Sequence, residues 1–84
     1  MKWKEVTNKE TGAEELNNTF KFKDFVGAWG FMNKVALIAE KMDHHPDWSN
    51  SYNTVTISLS THSEGNKITA KDRKLADAID KLLL

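Results

Sequence analysis

The three histidines of this 84-residue chain all lie within one stretch of the sequence. His44 and His45 are adjacent and are followed by Pro46, and His62 comes after a segment in which apolar and polar residues alternate. Imidazole is the one side chain that, when its pKa is unshifted, can both donate and accept a proton at about pH 7. The concentration of histidines therefore favours general acid–base chemistry over a role in the core.

Carboxylates accompany these histidines. Glu40 and Asp43 are close enough in sequence to hold histidine tautomers or to raise the basicity of a ring. His44 and His45 also follow the end of a predicted helix, where the helix dipole favours a protonated imidazole. A hairpin between this helix end and His62 is needed to bring His62 back beside His44 and His45.

A metal site is a second interpretation of the same residues. His44 and His62, together with Asp43 or Asp47, have the donor types that bind zinc. Adjacent histidines seldom point at one ion, however, and the familiar short ligand spacings are absent. The sequence therefore favours proton transfer over metal binding.

The composition predicts one domain over residues 1–84, near the lower size limit for a stable core. The chain has no cysteine, which excludes disulfides and thiolate metal sites. The start of the chain lacks the apolar segment of a signal peptide, and no apolar run is long enough to span a bilayer, so we expect a soluble cytoplasmic protein. Twelve basic residues balance twelve acidic ones without a basic stripe, which argues against direct nucleic-acid binding.

Hydrophobic periodicity predicts the elements. Residues 2–7 indicate an edge strand and residues 8–14 a loop, and a second strand carries Leu16, Phe20 and Phe22 at period two. A long helix begins after Asp24 as N-cap and ends near Asp43, before Pro46. Its apolar stripe is wider than one sheet face needs, so a partner subunit or a further element is expected to cover part of it. The stripe comprises Phe25, Ala28, Trp29, Phe31, Met32, Val35, Ala36, Ile38, Ala39 and Met42.

The second half of the chain predicts a hairpin and a last helix. Residues 48–52 form the third strand, Asn53 and Thr54 the turn, and the fourth strand alternates through residues 55–60. Thr69 and Asp72 have the spacing of a capping box before an amphipathic helix. The order β-β-α-β-β-α predicts an α+β fold, a four-stranded antiparallel sheet with helices packed on one face.

At the histidine cluster the chain closely resembles the pterin-4a-carbinolamine dehydratases. The family pattern is matched in order and spacing by Glu40, His44-His45-Pro46, Tyr52, His62 and Asp72. The flanking Phe-Lys-Asp-Phe and Ser-Leu-Ser-Thr-His segments are similar as well. Family members usually have a helix before a tryptophan such as Trp3, and this chain begins almost at that tryptophan.

The resemblance implies dehydration of a 4a-hydroxytetrahydropterin to quinonoid dihydropterin by histidine acid–base catalysis, with no metal or redox cofactor, in tetrahydrobiopterin recycling. His44 and His62 are the candidate acid and base, and His45 would bind or orient the pterin. Candidate substrate-binding residues are Glu40, Asp43, Pro46, Trp48, Thr61, Ser63, Glu64 and Asp72. Trp48 could stack on the pterin or belong to the core, Asp72 is expected at a helix start in either case, and Tyr52 is expected to pack on the sheet.

The family also includes proteins that act through protein contacts. A protein-binding module, such as a dimerisation cofactor or an assembly factor, is therefore the alternative function, alone or in addition to catalysis. The resemblance implies a homodimer or homotetramer. Retention of all three histidines favours the enzyme.

Overall fold

The computed structural model describes residues 3–84, in which two helices cover one face of a four-stranded antiparallel sheet. The strands lie in the order β1-β2-β4-β3, which confirms the predicted α+β fold. Met1 and Lys2 lie outside the described residues, and so does the predicted start of the first strand at Lys2. Within residues 3–84, none of the helices has the length and apolar character to cross a membrane. The elements are β1 (Lys4–Thr7), β2 (Glu14–Lys21), α1 (Phe25–Met42), β3 (Asp47–Ser51), β4 (Thr54–Leu59), a short 3-10 helix (His62–Glu64) and α2 (Ala70–Lys81).

Alternation along the two central strands builds the core. Leu16 of β2 lies opposite Leu59 of β4, and Phe20 lies opposite Val55, so that these side chains share the face that the helices cover. Helix residues complete the buried cluster, among them Val35 of α1 and, from α2, Leu75, Ala76 and Ile79. The polar residues that alternate with these side chains along the strands point to the other face of the sheet.

Capping residues fix both ends of α1. The Asp24 carboxylate accepts a hydrogen bond from the Gly27 N–H at 2.8 Å, which confirms the predicted N-cap. At the other end Asp43 adopts a left-handed conformation (φ 51°), which a short polar side chain tolerates, and it ends the helix as predicted. The chain therefore turns sharply just before His44.

The apolar residues of α1 that this chain leaves uncovered are not those that the sequence predicted. Phe31 is buried, and Ile38 and Met42 pack against the core, so the chain itself covers this part of the wide stripe. Exposed apolar side chains lie instead on the outer face of α1: Phe25, Val26, Trp29 and Leu37. Periodicity shows the width of a stripe, whereas the tilt of the helix on the sheet decides which edge stays open.

The β3–β4 turn lies one residue earlier than predicted. Ser51 pairs with Thr54, so Tyr52 and Asn53 form the turn, and β3 ends at Ser51 rather than at Tyr52. Asn53 is tied to the end of β2 by two 2.9 Å hydrogen bonds with Phe22, one through its side chain and one through its backbone. Tyr52 takes the left-handed position (φ 50°) and is exposed. The expectation that Tyr52 packs on the sheet is therefore wrong.

Candidate active site

Hairpin topology brings the histidines together. His44 and His45 come just before β3, and His62 comes just after β4. Because β3 and β4 are antiparallel and joined by a two-residue turn, the start of one lies beside the end of the other. One cleft of about 320 Å³ consequently has all three histidines in its wall.

His44 is held from two sides. Its backbone N–H donates to the Ala39 carbonyl at the end of α1 at 3.1 Å. Its ring Nε2 lies 2.6 Å from Oδ1 of Asp72, in the first turn of α2. The His44 side chain is 11% exposed, and that of Asp72 is fully buried. Two helices thus fix the ring, and the second nitrogen, Nδ1, remains for a ligand.

Asp72 accepts hydrogen bonds at both carboxylate oxygens. Oδ1 accepts from His44, and Oδ2 accepts from the Thr61 hydroxyl at 2.6 Å and from the Thr69 backbone N–H at 2.9 Å. The bond from Thr69 is half of the predicted capping box, which the structure confirms. Asp72 therefore joins the start of α2 to the site.

These contacts determine the charge of Asp72. Burial alone would raise the pKa of the Asp72 carboxyl, because desolvation disfavours the anion. The hydrogen bonds from Thr61, His44 and the Thr69 backbone outweigh burial, so the pKa lies below its ordinary value. The start of α2 also favours a negative charge. A buried anion consequently lies behind His44.

His45 is in a more open environment. Its Nε2 lies 2.9 Å from Oε1 of Glu40, in the last turn of α1. Both side chains are mostly exposed, at 56% and 82%. The sequence suggested Glu40 as a tautomer partner, and the structure pairs it with the second of the adjacent histidines.

His62 has a neutral partner and a distant acidic one. Its Nδ1 lies 2.6 Å from Oδ1 of Asn66, and its Nε2 lies 3.5 Å from Oδ2 of Asp47. The ring also borders a second cavity of about 440 Å³. That cavity includes Glu14, Glu15 and Asp47 in its wall. His62 therefore lies where two cavities adjoin.

The cleft contains some of the candidate residues but not all of them. Besides the histidines, its wall includes the candidates Asp43, Thr61 and Ser63, together with Ser60 and Lys71. Sequence reasoning missed Ser60 and Lys71. Their signals were weak, because one is the last alternating residue of a strand and the other lies in a mixed-charge helix turn.

Besides Glu40 and Asp72, which contact the site through His45 and His44, three further candidates lie away from the cleft wall. Pro46 is half-buried between His45 and β3. Trp48 lies opposite Ile57, on the covered face of the sheet, and packs against the core. Glu64 borders a neighbouring cavity with Thr69 and Ala70. For Trp48 the core interpretation is therefore the one that the geometry favours.

The donor arrangement gives the metal interpretation little support. Across residues 3–84, no three His, Cys, Asp or Glu side chains are grouped so that they could hold an ion. His44 and His62 each use one nitrogen on a different partner. The geometry is better suited to proton transfer.

Comparisons with known proteins place the chain in a family. The family model described as pterin 4 alpha carbinolamine dehydratase matches residues 1–82. A protein of Prochlorococcus marinus, which carries the provisional name pterin-4-alpha-carbinolamine dehydratase, is 59% identical over 68 residues; the match covers 81% of this chain and 70% of the relative. A Bradyrhizobium diazoefficiens protein with the same provisional name is 50% identical over 80 residues, covering 95% and 75% of the two chains.

Solved structures extend the similarity to the fold. A transcriptional coactivator/pterin dehydratase from Brucella melitensis superimposes with a TM-score of 0.83 at 48% identity, covering 94% of this chain and 79% of that chain. A pterin dehydratase-like RuBisCO assembly factor of the alpha-carboxysome has a TM-score of 0.80, covering 98% and 89%. At 20% identity, that second likeness concerns the fold alone. The family match and the identities together show that this chain belongs to the pterin 4 alpha carbinolamine dehydratase family.

Proposed function

We propose that the protein removes water from a 4a-hydroxytetrahydropterin to give quinonoid dihydropterin, in support of tetrahydrobiopterin recycling. The observation that carries this proposal is the convergence of His44, His45 and His62 on one cleft, in a chain of the dehydratase family. The relatives' names supply the substrate class. The contacts of each histidine ring suggest its individual role.

The reaction needs one acid and one base. Hydroxide is a poor leaving group, so the acid protonates it as the C4a–O bond breaks. The electron pair of a ring nitrogen forms the new double bond to C4a, and the proton of that nitrogen passes to the base. General acid–base catalysis of this kind contributes about 10²- to 10⁴-fold.

His44 is the proposed acid. The buried Asp72 carboxylate accepts a hydrogen bond from Nε2 at 2.6 Å and places a negative charge behind the ring. Since Nε2 is occupied by Asp72, Nδ1 is the nitrogen that would donate the proton to the leaving hydroxyl. Asp72 acts on the substrate only through His44.

His62 is the proposed base, and His45 binds or orients the pterin. The group nearest to Nδ1 of His62 is the uncharged amide of Asn66, at 2.6 Å, whereas His44 faces a carboxylate. His45, paired with the exposed Glu40, is free to shift toward a bound ring. The backbone of residues 61–64 and the side chains of Asp43 and Ser63 offer hydrogen bonds to the pterin edge.

The test is the dehydration rate of freshly prepared 4a-hydroxytetrahydropterin, followed by ultraviolet absorbance. We expect the wild type to accelerate the spontaneous reaction, and His44→Ala and His62→Ala to lose about 10²- to 10⁴-fold of kcat. His45→Ala is expected to act mainly on KM. Ser49→Ala, on the uncovered face of the sheet, serves as a matched surface control. A wild type no faster than buffer would refute the proposed function.

The outer face of α1 favours an additional role in assembly. We propose that a second copy of this chain covers Val26 and Leu37, which are 77% and 74% exposed, in a homodimer or homotetramer. Between them lies Gly30, at which an added Cβ would meet nothing within 4 Å. Glycine within a helix costs about 1 kcal/mol relative to alanine, and packing inside this chain gives no reason for it.

The spacing suits an antiparallel copy of the same helix. Val26, Gly30, Asn33 and Leu37 follow one another at intervals of four, three and four, so that a two-fold axis between Gly30 and Asn33 would place Val26 opposite Leu37. Sedimentation of Leu37→Lys should show a smaller species than the wild type. Leu84→Lys, a matched change at an exposed leucine of the chain end, should leave the size unchanged. A monomeric wild type would leave this face to a different protein and overturn the self-association.

A further inference from the structure

The loop after β4 folds back on itself. The short helix His62–Glu64 is followed by two left-handed residues, Gly65 (φ 74°) and Asn66 (φ 60°). Asparagine is among the few residues other than glycine that adopt this conformation readily. The consecutive left-handed residues reverse the chain, so that the side chain of Asn66 returns to the ring of His62.

The backbone of Asn66 is anchored on both sides. Its N–H donates to the Thr61 carbonyl at 3.1 Å, and its carbonyl accepts from the Glu14 N–H at 2.8 Å. Glu14 begins β2, and Thr61 follows the end of β4 by two residues. The position of the Asn66 amide is therefore fixed by the sheet, even though the residue lies at the surface.

The contact with His62 has a defined direction. Oδ1 of Asn66 lies 2.6 Å from Nδ1 of His62, and an amide oxygen can only accept a hydrogen bond. Nδ1 must therefore carry the hydrogen in the neutral ring, which leaves Nε2 with a free lone pair. Nε2 lies 3.5 Å from Oδ2 of Asp47, an acceptor that cannot supply it with a proton when ionised.

We propose that Asn66 is the positioning residue that holds His62 in its Nδ1–H tautomer, so that Nε2 is the atom that accepts a proton. The catalytic meaning of this inference rests on the proposed function. The proton leaves the substrate nitrogen, whose electron pair stays on the substrate, and forms the Nε2–H bond. The resulting imidazolium then has an acceptor at each nitrogen, Asn66 at Nδ1 and Asp47 at Nε2.

The roles of the two outer histidines thereby become distinct. A carboxylate holds Nε2 of His44, and an amide holds Nδ1 of His62. The two rings consequently offer opposite nitrogens, one as donor and the other as acceptor. On this assignment, Asp72 and Asn66 each fix a proton-transfer atom by holding the other nitrogen of the ring.

The test reads the tautomer directly. Nitrogen-15 NMR of the His62 ring, recorded at about pH 9 where an unperturbed imidazole is neutral, distinguishes Nδ1–H from Nε2–H. We expect the Nδ1–H pattern in the wild type. Asn66→Gly keeps a residue that favours the left-handed backbone but removes the acceptor, and it should shift His62 toward the Nε2–H form that free histidine prefers. His45, paired with Glu40, is the internal control and should keep its pattern.

Kinetics provide the second measurement. Asn66→Gly should lower kcat by about tenfold with little change in KM, less than the 10²- to 10⁴-fold expected when a catalytic base itself is removed. Asn66→Asp keeps an acceptor oxygen at the same place and should preserve the Nδ1–H tautomer in the NMR measurement. An Nε2–H pattern in the wild type, or an unchanged pattern and kcat in Asn66→Gly, would overturn the proposal. If the wild type does not dehydrate the pterin, the proposed function fails, while NMR still decides the tautomer.

Discussion

His44 and His62 share a cleft but lie in opposite environments. His44 is nearly buried and faces a fully buried carboxylate, whereas His62 is 66% exposed and faces an amide and a solvated acid. In the first environment the hydrogen bonds of the site also hold the fold together, since Asp72 caps α2. In the second, the side chains are largely exposed, so their contacts are expected to contribute little to stability. Histidines of one cleft can therefore differ in how far their contacts also stabilise the fold.

Removal of Asp72 should give the largest effect on stability. Asp72→Ala removes a capping-box acid and leaves His44, Thr61 and the Thr69 N–H without their acceptor, so we expect the free energy of unfolding to fall by about 3–5 kcal/mol. Asp47→Ala, at the exposed partner of His62, should cost less than about 0.5 kcal/mol. Urea unfolding of both variants measures this difference in stability. Similar losses in the free energy of unfolding would show that the two environments do not differ in this way.

Alanine substitution of His44 and of His62 should lower the free energy of unfolding by different amounts. His44→Ala leaves a buried carboxylate with one partner fewer, and the loss should be about 1.5–3 kcal/mol, the range for hydrogen bonds to charged groups. His62→Ala should change the free energy of unfolding by less than about 0.5 kcal/mol, because the ring is exposed. Thermal and urea unfolding provide the measurement. A His62 variant as unstable as the His44 variant would contradict the account.

Acid should act mainly through Asp72. Its folded-state pKa lies below the ordinary value of 3.8, so its ionisation stabilises the fold above that value, and this contribution is lost as the pH falls through the lower folded value. Urea unfolding from about pH 6 down to about pH 2 should show this loss in the wild type. Asp72→Asn, which cannot ionise, should show a weaker dependence on acid. Equal acid dependence in both proteins would argue against the buried anion.

The smallest effect is expected at the exposed pair of Glu40 and His45. Glu40→Gln keeps the size of the side chain and removes its charge, and an exposed ion pair contributes only about 0–1 kcal/mol. Urea unfolding should therefore hardly distinguish this variant from the wild type. A loss above about 2 kcal/mol would mean that this pair is as structural as His44 and Asp72.

The same contrast explains what the sequence could predict. The capping box of Thr69 and Asp72 is local, because the two residues lie within one helix turn, and the sequence alone therefore predicts it. The contact between Asp72 and His44 depends on how α2 packs beside the end of α1, which no periodicity encodes. The tether of Asn66 to His62 depends on two successive left-handed residues, of which only Gly65 is an obvious signal.

The remaining differences have similar causes. Asn53 was expected in the β3–β4 turn with Thr54, but its bonds to Phe22 at the end of a neighbouring strand draw the turn one residue back to Tyr52. Both edges of the α1 stripe are apolar, so the sequence did not show that Phe31 is covered and Trp29 is open. Local signals thus predicted elements and caps, whereas tertiary packing selected the partners of each histidine.

The pH dependence of kcat/KM for 4a-hydroxytetrahydropterin dehydration tests the central claim most directly. An acid at His44 and a base at His62 that act in opposite protonation states predict a bell-shaped profile above the spontaneous rate. Each single alanine variant should remove one limb of the bell. A wild-type rate equal to that of buffer at every pH would contradict the acid–base account of this site.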